Sequence, residues 1–133
     1  MANLTDWIDP ARTALVIVDM QVDFAAPHGA VGRAGVDLGA VPSALSAASD
    51  LARAAREAGV AVVFVGLSTS PENDSPAWAE RLRRFGKVPE AELALCRAGA
   101  SGADFYGPAP EAGDIVVHKT RTAASSAQAW IGS

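Results

Sequence analysis

Three runs of apolar residues, none of them interrupted by a polar one, constrain this chain more than anything else in it. They are Leu15-Val16-Ile17-Val18, Val60-Ala61-Val62-Val63-Phe64-Val65 and Ile115-Val116-Val117. A strand with one wet face alternates apolar and polar residues. A strand covered on both faces does not, and such strands belong to parallel sheets. Between the first two runs, Leu45, Ala48, Leu51, Ala55 and Ala58 recur at helical spacing. That spacing predicts a helix over about 43–58, with Gly59 in the left-handed position that ends helices. Strand, helix and strand make a βαβ unit with a right-handed crossover. The 133 residues suit one domain, 1–133.

The remaining elements follow from punctuation. Ser75 before Pro76 predicts a helix start, and Gly86 its stop. Trp78, Leu82 and Phe85 form an apolar stripe expected to face the core, with Arg81, Arg83 and Arg84 off it on a solvated face. A short helix from Pro89 is expected to carry Leu93 and Cys96. A loop over 99–113 leads into the third strand, Asp114 to His118, and another helix is expected within 120–131. The fold class is therefore α/β: a Rossmann-like three-layer αβα arrangement whose parallel sheet has its three N-terminal strands present. A natural α/β chain would go on to another strand, so the domain is expected either to be incomplete or to be completed by a partner.

Composition removes several function classes. The net charge is −4, aromatic residues make up 6% of the chain, and no apolar run nears the ~20 residues needed to cross a bilayer. A mildly acidic, aromatic-poor chain has no general attraction to nucleic acid or to a membrane surface. Met1 to Pro10 lacks a basic, apolar leader, and the single Cys96 can form no internal disulfide. Both features point to the cytoplasm.

Polar chemistry begins abruptly where the strands end. Asp19-Met20-Gln21-Val22-Asp23-Phe24 follows the first strand, and His118-Lys119-Thr120-Arg121 closes the third. Open α/β sheets bind ligands at the C-terminal ends of their strands. A carboxylate and an ammonium meeting there can poise a thiol or a water. Spacing alone also allows Asp19 a turn-capping role and Lys119 a surface pair. His28 and His118 are the only histidines, and they read as a loop residue and a strand-end residue. Gly29, Gly32 and Gly35 precede no helix in the position a dinucleotide fingerprint requires.

The residues themselves add a resemblance. Thr13-Ala14-Leu15-Val16-Ile17-Val18-Asp19-Met20-Gln21-Val22-Asp23-Phe24 resembles the opening of the isochorismatase-like cysteine hydrolases. Ala26-Pro27-His28-Gly29-Ala30 is similar to the loop that follows it there. Gly113-Asp114-Ile115-Val116-Val117-His118-Lys119-Thr120-Arg121 resembles that superfamily's second signature. The leader Asp9-Pro10-Ala11-Arg12-Thr13-Ala14 resembles the amidohydrolase branch, ureidoacrylate hydrolases included. The resemblance runs from Asp9 to Arg121. After it, Thr122-Ala123-Ala124-Ser125 replaces the aromatic, serine and phenylalanine usual in relatives.

The resemblance implies hydrolysis of a C–N bond, amide or ureido, in a small molecule by an Asp–Lys–Cys triad. Asp19 would move the thiol proton to the leaving amine. Lys119 would hold Asp19 ionised and stabilise the thiolate. Phe24 would line the substrate pocket, with Gln21 a second pocket residue. The family's cysteine lies beyond the lysine, and so is expected in sequence outside this chain. Cys96 reads instead as an inert helix side chain. The nicotinamidase branch holds metal through an aspartate and loop histidines. The loop Leu67 to Asp74 has no histidine here, so neither metal nor cofactor is expected. Two alternatives stand: vinyl-ether hydrolysis with Asp19 as general acid, and an inactive interaction subunit or fragment. The expected partners are a small-molecule substrate and further copies of the chain in a homo-oligomer.

Overall fold

The computed structural model describes residues 3–121. The strands β1 (Ala14–Val18), β2 (Ala61–Leu67) and β3 (Ile115–Lys119) form one sheet in the order β1-β2-β3. Both pairings are parallel, with Ile17 beside Phe64 and Leu67 beside Lys119. Each strand lies within two residues of its expected place. The parallel α/β class read from the unbroken runs therefore holds. β3 runs one residue further than expected, so Lys119 is its last residue rather than the first after it.

Six helices accompany the sheet among the described residues: α1 (Leu4–Trp7), α2 (Val22–Ala25), α3 (Ala30–Arg33), α4 (Val41–Glu57), α5 (Pro76–Arg84) and α6 (Pro89–Leu93). The crossover helix α4 ends where Gly59 takes φ +74°. Its buried stripe is centred on Ala52 and Ala55, while Leu51 is 56% exposed. The expected stripe was one residue out of phase at its centre. Ala52 has no side chain beyond Cβ, so α4 comes close to Ile17, Val62 and Phe64 on the sheet. Phe105 closes this core, its ring set edge-on to Phe64 at 5.3 Å. Arg56 of α4 grips Asp114 at the foot of β3 at 2.6 Å.

The other sheet face holds Val63, Val65 and Val117 as a second buried cluster. At its margins Val16 and Val18 remain 44% and 42% exposed. An apolar run thus predicts a strand correctly but does not ensure cover on both faces. α4 packs on one face of β1, and Val16 and Val18 point to the other.

α5 begins as expected, with Ser75 Oγ accepting the N–H of Trp78. Its stripe is not core, however. Leu82 is buried, but Trp78 is 47% and Phe85 69% exposed. Arg81 does not lie off that stripe: it stacks over both rings, 5.4 Å and 5.7 Å from their centroids. The helix from Pro89 stops at Leu93, short of Cys96. The loop before β3 contains a 3₁₀ turn, Ser101–Ala103. The helix expected within 120–131 falls, beyond Arg121, on residues outside those described. No described helix is long and apolar enough to cross a membrane.

Candidate active site

β1 ends in a sharp reversal. Asp19 donates its backbone N–H to Val65, as a further strand residue would, and then takes φ +58°. Aspartate tolerates this left-handed conformation better than most residues, though at a cost. Among the described residues only Asp19 and Cys96 adopt it without being glycine. Both lie at the C-terminal edge of the sheet, where strain accompanies function most often.

Lys119 reaches the same edge from the last position of β3. Its Nζ lies 2.9 Å from Asp19 Oδ2, and its side chain is fully buried. Asp19 keeps about a third of its side chain in solvent. Its second oxygen, Oδ1, is nonetheless shielded and has no hydrogen-bond partner among the described residues. An ion pair with one carboxylate oxygen engaged and the other unengaged can accept and return a proton. The fold therefore brings together the two residues expected to carry the chemistry.

Gln21 and Phe24 occupy different surroundings. Gln21 is completely buried. Its Nε2 donates to the carbonyls of Leu67 and Ala103 at 2.8 and 2.7 Å, and its Oε1 accepts the Leu67 N–H at 2.7 Å. The amide thus ties the end of β2 to the 3₁₀ turn before β3. Phe24 sits on α2, half-buried.

Asp23 is not among the residues expected to carry the chemistry. It is buried, and it accepts the N–H of Ala30 at 3.1 Å and the N–H of Cys96 at 2.8 Å. A single carboxylate thereby joins the loop after β1 to the turn before the third strand. Gly102 packs directly on it, so that an added Cβ would collide with the carboxylate. Its place four residues beyond Asp19, in a run that otherwise turns apolar, is the signal that could have flagged it.

Cys96 was expected on a helix, below the reactive edge. It lies instead in the turn after α6, at φ +49°, with its carbonyl accepting the Thr69 N–H just beyond β2. Cys96 therefore sits at the C-terminal edge of the sheet, near enough for Asp23, Asp19 and Lys119 to act on it. The thiol is fully buried, 3.6 Å from the Gly102 carbonyl. Burial, then the negative charges of Asp23 and Asp19, push it up to about 12, against the opposing effect of Lys119. A thiol so placed stays protonated at neutral pH.

A cleft of about 560 Å³ opens beside this edge, between the loop after β2, α5, α6 and the end of β3. Leu67, Thr69, Asn73, Trp78, Arg81 and Arg121 are among the residues that line it. Asp74, also in the lining, is held by Arg97 through a two-pronged ion pair at 2.8 and 2.6 Å. Among the described residues no three His, Cys, Asp or Glu side chains gather as a metal site would need.

Comparison with known proteins follows the same lines. The isochorismatase domain model matches residues 13–129. The chain is similar to the ureidoacrylate amidohydrolase RutB of Azorhizobium caulinodans, 36% identical over 119 residues, covering 83% of this chain and 52% of that protein. It therefore spans about half the length of the curated relatives it matches. Among solved structures it resembles an isochorismatase family protein from Desulfovibrio vulgaris (TM-score 0.61, 30% identity), covering 90% of this chain and 58% of that one. It also resembles the N-carbamoylsarcosine amidase of Thermoplasma acidophilum (TM-score 0.55, 28% identity), over 84% of this chain and 54% of that one. With the motifs, the sheet and the family match in agreement, the chain belongs to the isochorismatase family.

Proposed function

We propose that Asp19 and Lys119 are the proton-transfer half of a hydrolase site that cleaves a C–N bond, amide or ureido, in a small molecule. One observation carries the reading: a fully buried ammonium lies 2.9 Å from a strand-end carboxylate whose other oxygen is unengaged. Asp19 Oδ1 accepts the proton of a thiol as sulfur attacks the carbonyl carbon. It returns that proton to nitrogen as the C–N bond breaks. Lys119 counters the negative charge of the thiolate and of the oxygen that becomes anionic. Water then hydrolyses the thioester, regenerating the thiol. The thiol is not Cys96, whose proton is held by burial. It comes from sequence other than these residues. Phe24 contributes an apolar wall of the substrate pocket, and Gln21 supports the pocket through the backbone groups it holds. The protein works in the cytoplasm as a homo-oligomer. Relatives named as amidohydrolases and an amidase support the C–N reading over vinyl-ether cleavage.

The test is a fusion in which the C-terminal half of the Azorhizobium relative follows residue 121. It is assayed beside the chain itself on succinamate and on isochorismate. Amide hydrolysis by the fusion, with none dependent on a thiol in the chain alone, is the expected result. Cleavage of isochorismate alone would replace this reading with the vinyl-ether one.

A further inference from the structure

Asp19 leaves the sheet one rung early, and the Gln21 side chain fills the gap. β1 and β2 stay in register as far as Val18 opposite Val65, and the Asp19 N–H reaches the Val65 carbonyl. A parallel ladder carried one rung further would put the Leu67 N–H on the Asp19 carbonyl and the Gln21 N–H on the Leu67 carbonyl. Neither bond is made. The Gln21 N–H turns back to the Asp19 carbonyl at 2.9 Å and closes the reversal. That leaves Leu67 with a buried N–H and C=O facing β1, and the Gln21 side chain meets both. Its Oε1 accepts the N–H at 2.7 Å, and its Nε2 donates to the carbonyl at 2.8 Å. A side-chain amide carries the same donor and acceptor as a peptide, so it stands in for the missing rung. Its second N–H goes to the Ala103 carbonyl at 2.7 Å. Gly66 leaves room for the amide, since a Cβ there would lie 3.2 Å from Nε2.

The replaced rung decides where the carboxylate points. Side chains alternate between faces along a strand. Continued as strand, Asp19 would face as Ile17 does, toward α4. Lys119 lies two residues from Val117 and shares its face, on the other side of the sheet with Val63 and Val65. A straight β1 would therefore hold the carboxylate and the ammonium on opposite faces. With φ at +58° Asp19 turns across, and its Oδ2 comes to 2.9 Å from Lys119 Nζ. The reversal strains the backbone and takes two bonds from the ladder. Gln21 supplies both.

We infer that Gln21 is the positioning residue of the site: by replacing a peptide rung it frees Asp19 from β1 and holds its carboxylate against Lys119. It acts through the backbone of Asp19 and Leu67, not on the reacting atoms. What the pair does chemically rests on the hydrolase reading, whereas the positioning rests on the hydrogen bonds alone. Without the amide, the Leu67 N–H and two carbonyls would be buried without partners. The Leu67 N–H would then draw the Asp19 carbonyl back into the ladder, and the carboxylate away from Lys119.

The 133-residue chain has two lysines, Lys87 and Lys119, so the pair can be read without turnover. In protein labelled with ¹⁵N-lysine, a buried and ion-paired ammonium keeps its N–H signal at neutral pH. Lys87, with 55% of its side chain exposed, loses its own to exchange with water. The signal absent from Lys119→Met is that of Lys119. Asp19→Asn should shift it, and Gln21→Met, which keeps the side-chain length without the amide, should shift it the same way. Ala52→Leu, which strains the α4 core instead, should leave it in place. A wild-type signal in Gln21→Met, or an equal shift in Ala52→Leu, would overturn the inference. Should Gln21→Met fail to fold, amide hydrogen exchange of the wild-type chain decides. The Leu67 and Asp19 N–H groups should open together, within about threefold after correction for intrinsic rates, and a larger difference would overturn the inference. A Gln21→Met shift together with a fusion that hydrolyses no amide would overturn the hydrolase reading and leave the positioning standing.

Discussion

At the scale of single residues, the Asp19–Lys119 pair is asymmetric, and the asymmetry can be measured. Lys119 is fully buried, whereas Asp19 retains contact with water. Asp19→Asn removes a full counter-charge from a buried ammonium and should cost about 3 kcal/mol. Lys119→Met leaves a carboxylate that water can reach, and should cost less. Denaturant unfolding of both variants reads the order, and a smaller loss for Asp19→Asn would mean that the ammonium is not buried in solution. Gly102 gives a second test. An alanine there must displace Asp23, which the N–H groups of Ala30 and Cys96 hold in place. Gly102→Ala should therefore destabilise by about 1–3 kcal/mol, as overpacked cores do. Asp19 and Lys119 stood out as strand-end residues, but spacing left their roles open and only the resemblance implied them. The anchoring roles of Asp23 and Gln21 were not legible, although the resemblance named Gln21 as a pocket residue, since their partners are backbone groups of segments tens of residues away.

At the scale of elements, periodicity located helices better than it oriented them. α4 lies where the repeat predicts, but its buried position is Ala52 rather than Leu51. A leucine in sequence looks like core, and close helix–sheet approach selects the smaller residue instead. Leu51→Ala should accordingly change stability by less than about 0.5 kcal/mol, whereas Ala52→Leu should cost about 1–3 kcal/mol. Thermal unfolding that ranked them the other way would show α4 rotated. On α5 the error came from treating aromatics as core and every arginine as solvated. Arg81 is three residues from Trp78 and four from Phe85, which is the spacing of one helix face. The loop between β2 and α5 is secured to the turn after Cys96 by the Arg97–Asp74 pair. Its hydrogen bonds hold the Asp74 carboxyl below its ordinary value near 3.8. The pair therefore contributes fully above that pH, about 1 kcal/mol for a partly exposed pair, and fades as pH falls beneath it. Asp74→Asn should lower stability at neutral pH, and the difference from wild type should vanish near pH 2. A difference that persisted there would assign the loss to packing.

At the scale of the whole molecule, three parallel strands put their C-terminal ends on one edge, and the Asp19–Lys119 pair, Cys96 and the cleft all gather there. The unbroken apolar runs made that edge predictable, because a parallel sheet has only one such end. What they could not reveal was how the loops over 68–75 and 94–107 fold back on it, since those contacts join residues far apart in sequence. Cys96 shows the difference most plainly. Helical spacing put it below the edge, whereas one backbone hydrogen bond to Thr69 brings it to the edge with its thiol buried and protonated. The central claim is that proton transfer at this edge belongs to Asp19 and that Cys96 has no part in bond cleavage. Single-turnover hydrolysis of succinamate by the fusion tests it most directly, comparing Asp19→Asn with Cys96→Ala after folding of each is verified by circular dichroism. The account predicts a loss of about 10²–10⁴-fold for Asp19→Asn and a rate within about threefold of the parent for Cys96→Ala. Activity abolished by Cys96→Ala and retained by Asp19→Asn would contradict it.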